Sequence, residues 1–85
     1  MTYTVSFKQS ARKALGKLPR KMQIRLVEAA DALANDPRPQ GVKKLQGDDN
    51  LWRIRVGAFR IVYEIHDDRL TVLVIRIGDR KDIYR

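Results

Sequence analysis

Cysteine is missing altogether from this 85-residue chain. Its absence removes disulfides, thiolate nucleophiles and cysteine-built zinc sites together, and suits a reducing compartment. The sequence holds one histidine, His66, so two histidines sharing the general acid and general base roles are excluded. Nowhere do roughly 18 to 20 apolar residues follow one another, as a membrane-spanning helix requires. The first residues, Met1-Thr2-Tyr3-Thr4-Val5, have neither the basic nor the apolar region of a secretory signal. The expectation is a cytoplasmic protein with no membrane contact. There is no glycine-rich phosphate loop and no serine-nucleophile motif. Asp67, Asp68, Asp79 and Asp82 are too scattered among arginines and turns to suggest a metal site, and no cofactor is implied.

Acidic residues are also scarce: 10 Asp and Glu stand against 18 Lys and Arg, leaving a net charge of +8. Such a surplus concentrates polyanions and speeds their encounter, so nucleic acid or the ribosome is the expected partner. Hydrophobic residues make up 44% of the chain, enough for one modest core, and the length allows a single domain over residues 1–85.

Periodicity outlines the elements. Tyr3, Val5 and Phe7 alternate with Thr4 and Ser6, which predicts a strand over Thr2 to Phe7. Ala11, Ala14, Leu15 and Leu18 then recur at helical spacing from Gln9 onward, with Ser10 placed to help start the helix. Pro19 suits the first turn of a second helix running to Leu33, whose buried stripe is Met22, Leu26, Ala29, Ala30 and Leu33. The segment Asn35-Asp36-Pro37-Arg38-Pro39-Gln40-Gly41 ends it. Three strands follow, Leu51 to Val56, Phe59 to Ile65 and Leu70 to Ile77, with short connections at Gly57-Ala58 and Asp67-Asp68. Helices and strands segregated in this way predict an α+β fold of order β-α-α-β-β-β, with two antiparallel helices on one face of a mostly antiparallel sheet.

A two-residue loop at Gly57-Ala58 pairs Val56 with Phe59, Ile54 with Ile61 and Trp52 with Tyr63, all on the core face. The opposite face then pairs Arg55 with Arg60 and Arg53 with Val62, and its one acidic neighbour is Glu64, across from Leu51. Like charges directly opposite one another destabilise a sheet by a few tenths to about 1 kcal/mol. A solvated face would serve solubility better with mixed signs, whereas guanidinium groups grip phosphate in two-point fashion. The cluster is therefore read as an anion site. Arg76 and Arg80 join it or not according to the last hairpin, where loops of two and three residues swap the faces of the strand, and both faces are apolar enough for either. His66, at a hairpin end, reads as an ordinary turn residue. Trp52 and Tyr63 read as core packing rather than base-stacking platforms. The helix cations Lys8, Arg12, Lys13, Lys17, Arg20, Lys21 and Arg25 suit a solvated face or contact with ribosomal RNA equally well.

Three segments carry a family resemblance: Lys44-Leu45-Gln46-Gly47, the run Leu51-Trp52-Arg53-Ile54-Arg55-Val56-Gly57-Ala58-Phe59-Arg60-Ile61-Val62-Tyr63-Glu64-Ile65, and Val74-Ile75-Arg76-Ile77-Gly78-Asp79-Arg80-Lys81-Asp82-Ile83-Tyr84. Together they resemble the RelE toxins of the RelE/ParE superfamily, and the likeness runs through the whole chain. The resemblance implies a microbial ribonuclease-like fold and a metal-independent endoribonuclease that cuts mRNA in the A site of the 70S ribosome. It also implies a cognate RelB-like antitoxin, with which the chain forms a hetero-oligomer, the free toxin being a monomer. By position it assigns catalytic roles to Arg53, Arg55, Arg60, Arg80 and Tyr84, and RNA contacts to Lys44, Arg76 and Lys81. Many members carry lysine where this chain has Arg53 and Arg55. A guanidinium with a pKa above about 12 is a poor proton donor, so either these two act by charge while ribosomal RNA or water moves the proton, or the protein cuts slowly. Two other functions fit the same fold: a ParE-like inhibitor of DNA gyrase, and a catalytically inactive member that only binds its antitoxin.

Overall fold

The computed structural model describes residues 2–45 and 50–79. Strand β1 (Thr4–Phe7) leads into helix α1 (Gln9–Gly16) and helix α2 (Arg20–Ala32), and strands β2 (Lys43–Lys44), β3 (Leu51–Val56), β4 (Phe59–His66) and β5 (Thr71–Asp79) complete the order. The α+β architecture is as the periodicity predicts, with one added element, the two-residue β2 at an edge. Among the described residues no helix is long and apolar enough to cross a membrane.

The helix boundaries follow from local hydrogen bonding. Lys8, not Ser10, occupies the N-cap of α1, and no side chain caps it. The helix stops at Gly16 because the next two N–H groups, of Lys17 and Leu18, turn back to Ala14 and Leu15, three residues behind, and because Pro19 disfavours helical geometry at Leu18. Pro19 is the N-cap of α2, one position before the first turn, and its carbonyl accepts from Met22 and Gln23. The Gln23 Nε2 closes the corner between the helices by donating to the Leu18 carbonyl at 2.8 Å. The α2 stripe packs as predicted: Leu26, Ala30 and Leu33 are buried, and Met22 and Ala29 line the core's margin.

The sheet has the order β1-β5-β4-β3-β2. Three of its pairings are antiparallel and the fourth, β1 with β5, is parallel. A parallel pair needs a long crossover, and the helices sit within the one that separates β1 from β5. Helix α1 packs against β5 and α2 reaches β3. The third position in the order belongs to β4, whose Ile61, Val62, Tyr63 and Ile65 are all buried, as a strand with neighbours on both sides tends to be.

The β3–β4 hairpin has the expected register throughout, from Val56 opposite Phe59 to Leu51 opposite Glu64. Gly57 supplies the positive φ, +61°, that the first loop position of a type II′ turn demands. The β4–β5 connection is different from either loop length considered. Four residues, Asp67 to Leu70, separate His66 from its partner Thr71, and Leu70 takes the left-handed φ of +49°. Further along, Tyr63 faces Val74, and an unbroken register would set Ile61 opposite Arg76, turning the arginine toward the helices. A bulge intervenes: Ile75 is the extra residue, so Arg76 stands opposite Val62 and Ile77 opposite Ile61. The bulge thus keeps Ile77 in the core, where it is 4% exposed, and delivers Arg76 to the face away from the helices.

Candidate nucleic-acid interface

Side chains alternate across a strand, so the pairing registers fix what shares the face away from the helices. One row crosses four strands, Lys43 to Arg53 to Val62 to Arg76. The next row is Arg55, Arg60 and Gly78. Lys43, Arg53, Arg55 and Arg60, with Gly41 and Ile54, line a cleft of about 410 Å³. Within it the arginines differ in exposure. Arg55 is exposed, Arg53 half-buried, and Arg60 only 2% exposed, so the cluster is a graded pocket. A guanidinium fixed by its surroundings on the floor of a cationic cleft is pre-organised to receive an anion without a further ordering cost.

Lys44, assigned to RNA by position, stands elsewhere. It pairs with Trp52, on the helix-side face, and its Nζ lies 5.6 Å from the Trp52 ring centroid, where a cation–π contact is favourable. The period of two gives the place beside Arg53 to Lys43, a residue that sequence reasoning passed over. The only signal for it in the sequence is the pair Lys43-Lys44 itself, and two residues cannot display an alternation. Arg76 joins the arginine face through the bulge and also lines a second cleft, of about 240 Å³, together with Lys8, Ser10, Ala14, Ile75 and Ile77. Arg80, Lys81 and Tyr84 lie outside the described residues.

Beyond the arginine rows, β4 carries Glu64 and His66 on the same face. Glu64 Oε1 and His66 Nε2 are 2.8 Å apart, and Arg69 Nη2 lies 3.3 Å from His66 Nδ1. His66 is therefore the end of β4, tied into a local network. Among the described residues no three His, Asp or Glu side chains gather closely enough to hold a metal ion.

A second charged network sits at the β4–β5 turn. Arg38 grips Asp67 through both terminal nitrogens, Nη2 to Oδ2 at 2.9 Å and Nη1 to Oδ1 at 3.3 Å, and Tyr3 donates to Asp67 Oδ1 at 2.6 Å. The Arg38 guanidinium also lies over Trp52, 4.9 Å from its centroid. Arg38, then Tyr3, hold the Asp67 carboxyl below its ordinary pKa by hydrogen bonding to the charged form. Asp67 in turn raises the Tyr3 phenol. Tyr63, buried as expected, donates to the Pro37 carbonyl at 2.8 Å. Burial drives its phenol well above the ordinary value, which keeps it a neutral donor.

Known proteins share this architecture. The chain matches the family model for the ParE toxin of type II toxin-antitoxin system, parDE, over residues 3–84. It is 36% identical over 86 residues to toxin RelG of Mycobacterium tuberculosis, an alignment covering 100% of this chain and 99% of that protein. A chain of the toxin-antitoxin complex RelBE2 from M. tuberculosis superposes with a TM-score of 0.83 at 33% identity, covering 94% of this chain and 100% of the other. The archaeal RelE-RelB complex from Pyrococcus horikoshii OT3 gives a TM-score of 0.83 at 30% identity, covering 94% and 97%. The chain belongs to the RelE/ParE superfamily, the toxins of type II toxin-antitoxin systems. Within that superfamily it is a toxin of the RelE type.

Proposed function

We propose that this toxin is a ribosome-dependent endoribonuclease that cuts mRNA in the A site and so stops translation. The observation that carries the reading is the cleft in which Arg53, Arg55 and the buried Arg60 converge with Lys43. RNA brings its own nucleophile, the 2′-OH beside each phosphate. Its oxygen attacks phosphorus, the bond to the 5′-oxygen breaks, and a 2′,3′-cyclic phosphate and a 5′-hydroxyl end result. The barrier lies in the extra negative charge on the phosphorane, and fixed cations stabilise that charge more than they stabilise the ground state.

Arg60, held on the cleft floor, takes the scissile phosphate together with Arg80. Arg53 and Arg55 take the neighbouring phosphate and the leaving oxygen, acting by charge because a guanidinium does not give up its proton near neutral pH. Tyr84 stacks on a base or activates the 2′-OH, and Arg76 and Lys81 bind RNA outside the reacting centre. The partners are the 70S ribosome, mRNA in its decoding site, and a RelB-like antitoxin that covers the cationic surface, all in the cytoplasm. The structural neighbours in complex with antitoxins support the last of these.

The matching family model describes ParE, which favours inhibition of DNA gyrase as the second reading, and one experiment separates the two. The protein is induced in cells and mRNA 5′ ends are mapped, alongside Arg60→Ala. The nuclease reading expects new ends in register with codons, reduced about 10²- to 10³-fold in the variant, the loss typical of one transition-state donor. Growth arrest with gyrase-dependent DNA breaks and no new mRNA ends would replace it by the ParE-like reading. Absence of both lesions leaves a module that binds its antitoxin and cuts nothing.

A further inference from the structure

The cationic surface has a direction. Along β4 it is short: past Val62 the next residue on the same face is Glu64, flanked by Leu51 and Leu73 and engaged with His66. A phosphate moving that way leaves the arginines and meets a carboxylate. Across the strands the surface is long. Lys43, Arg53, Val62 and Arg76 form one continuous row over β2, β3, β4 and β5. Neighbouring strands are about 4.8 Å apart, so the row measures about 14 Å at the backbone.

The row does not stop at Arg76. Strand β1 pairs with β5 only as far as Val74, and the next residue, Lys8, donates its N–H to the Val74 carbonyl at 2.8 Å as the chain leaves the sheet. That departure brings Lys8 and Arg76 together as lining of the second cleft, about 240 Å³. Lys8, Lys43 and Arg76 are exposed, and among the described residues none of the ion pairs involves them. Val62, 5% exposed, supplies an uncharged step between Arg53 and Arg76.

We propose that a single RNA strand crosses this face at right angles to the β-strands, with Lys43 at one end of its track and Arg76 with Lys8 at the other as phosphate ligands. Taking RNA as the occupant rests on the nuclease reading; the track itself rests on the registers. The track runs one row from Arg55 and Arg60, with its end charges on β2 and β5 to either side of them across the strands, so the RNA is held on both sides of the phosphate that Arg60 receives, which favours alignment for in-line attack.

The test uses the whole chain and a fluorescent single-stranded RNA with 2′-O-methyl groups, which cannot be cut through its 2′-oxygens. Affinity is measured as salt is raised. For single strands the slope of log K against log salt falls by about 0.7 for each phosphate that is no longer neutralised. Lys43→Ala and Arg76→Ala are each expected to reduce the slope by about that amount, Lys8→Ala to do the same, and Lys21→Ala on the outer side of α2 to leave it unchanged. Equal slopes for all four variants would overturn the track, as would failure of the unaltered protein to bind the RNA. Polyglutamate bound with the same slope and the same reductions would assign the row to an acidic protein segment and overturn RNA as its occupant. Cleavage on ribosomes, measured separately, tells the two ideas apart. Cutting with unchanged slopes removes only the track, and altered slopes without cutting remove only the nuclease reading.

Discussion

On the side of the β3–β4 hairpin that meets the helices, Ile54 stands opposite Ile61 and Trp52 opposite Tyr63; on the other side, Arg55 stands opposite Arg60 and Arg53 opposite Val62. The same two strands and the same register make both. Ile61 and Tyr63 are fully buried, and removing a side chain of that size from water contributes about 1.5 to 3 kcal/mol. Two arginines directly opposite one another work against pairing by up to about 1 kcal/mol. The apolar face therefore sets the stability of the hairpin while the facing arginines work against it, which supports the proposed anion site. Arg38 lies outside these rows, where it meets the carboxylate of Asp67 and the ring of Trp52.

The largest effect that tests this contrast belongs to Ile61→Ala. Truncating a fully buried isoleucine typically costs about 2 to 5 kcal/mol, a large share of the roughly 5 to 15 kcal/mol that holds a small domain folded. Urea unfolding should show a lower midpoint with a similar slope, while cleavage per folded molecule stays unchanged. A variant that kept its midpoint but stopped cutting would reverse the division of labour between the faces.

Arg55→Gln should move the two properties in opposite directions. Relieving the repulsion with Arg60 is expected to raise stability by a few tenths to about 1 kcal/mol, a rise in Tm of up to about 4 to 8 °C for a domain of this size. Ribosome-dependent cutting should fall at the same time. A drop in Tm would mean that Arg55 holds the hairpin together, and the arginine face would then be structural.

The hairpin was legible because alternation on two strands and the pair Gly57-Ala58 leave one register that keeps the apolar residues together. The last strand was not, because Val72, Val74, Ile75 and Ile77 are apolar at both parities. The face of Arg76 is decided by the bulge at Ile75, next to the point where β1 leaves the sheet, and neither the pairing of β1 nor that departure is written in the local sequence. The same limit hid Lys43. Arg60 is a third case: alternation places it on the anion face but says nothing of its burial, since β4 is the middle strand of five, and strand order is a tertiary fact. The family motif in the C-terminal half named Arg53, Arg55 and Arg60 without showing how differently they are exposed.

The smallest expected effect concerns Arg38 and its partners, away from the arginine rows. Asp67→Asn keeps the shape of the side chain and removes the charge that Arg38 and Tyr3 recognise. Because those partners depress the Asp67 pKa in the folded chain, the group stabilises the fold fully above its unfolded value, about 3.9. That contribution is lost as pH falls through the lower folded value. The variant should therefore melt slightly below the unaltered protein at neutral pH, and the gap should close as the solution is taken below about pH 4, where the carboxyl of the unfolded chain is protonated. RNA cutting should not change, since Asp67 lies at the β4–β5 turn and not in the arginine rows. A gap that stayed constant into acid would show that Asp67 acts through its hydrogen bonds alone.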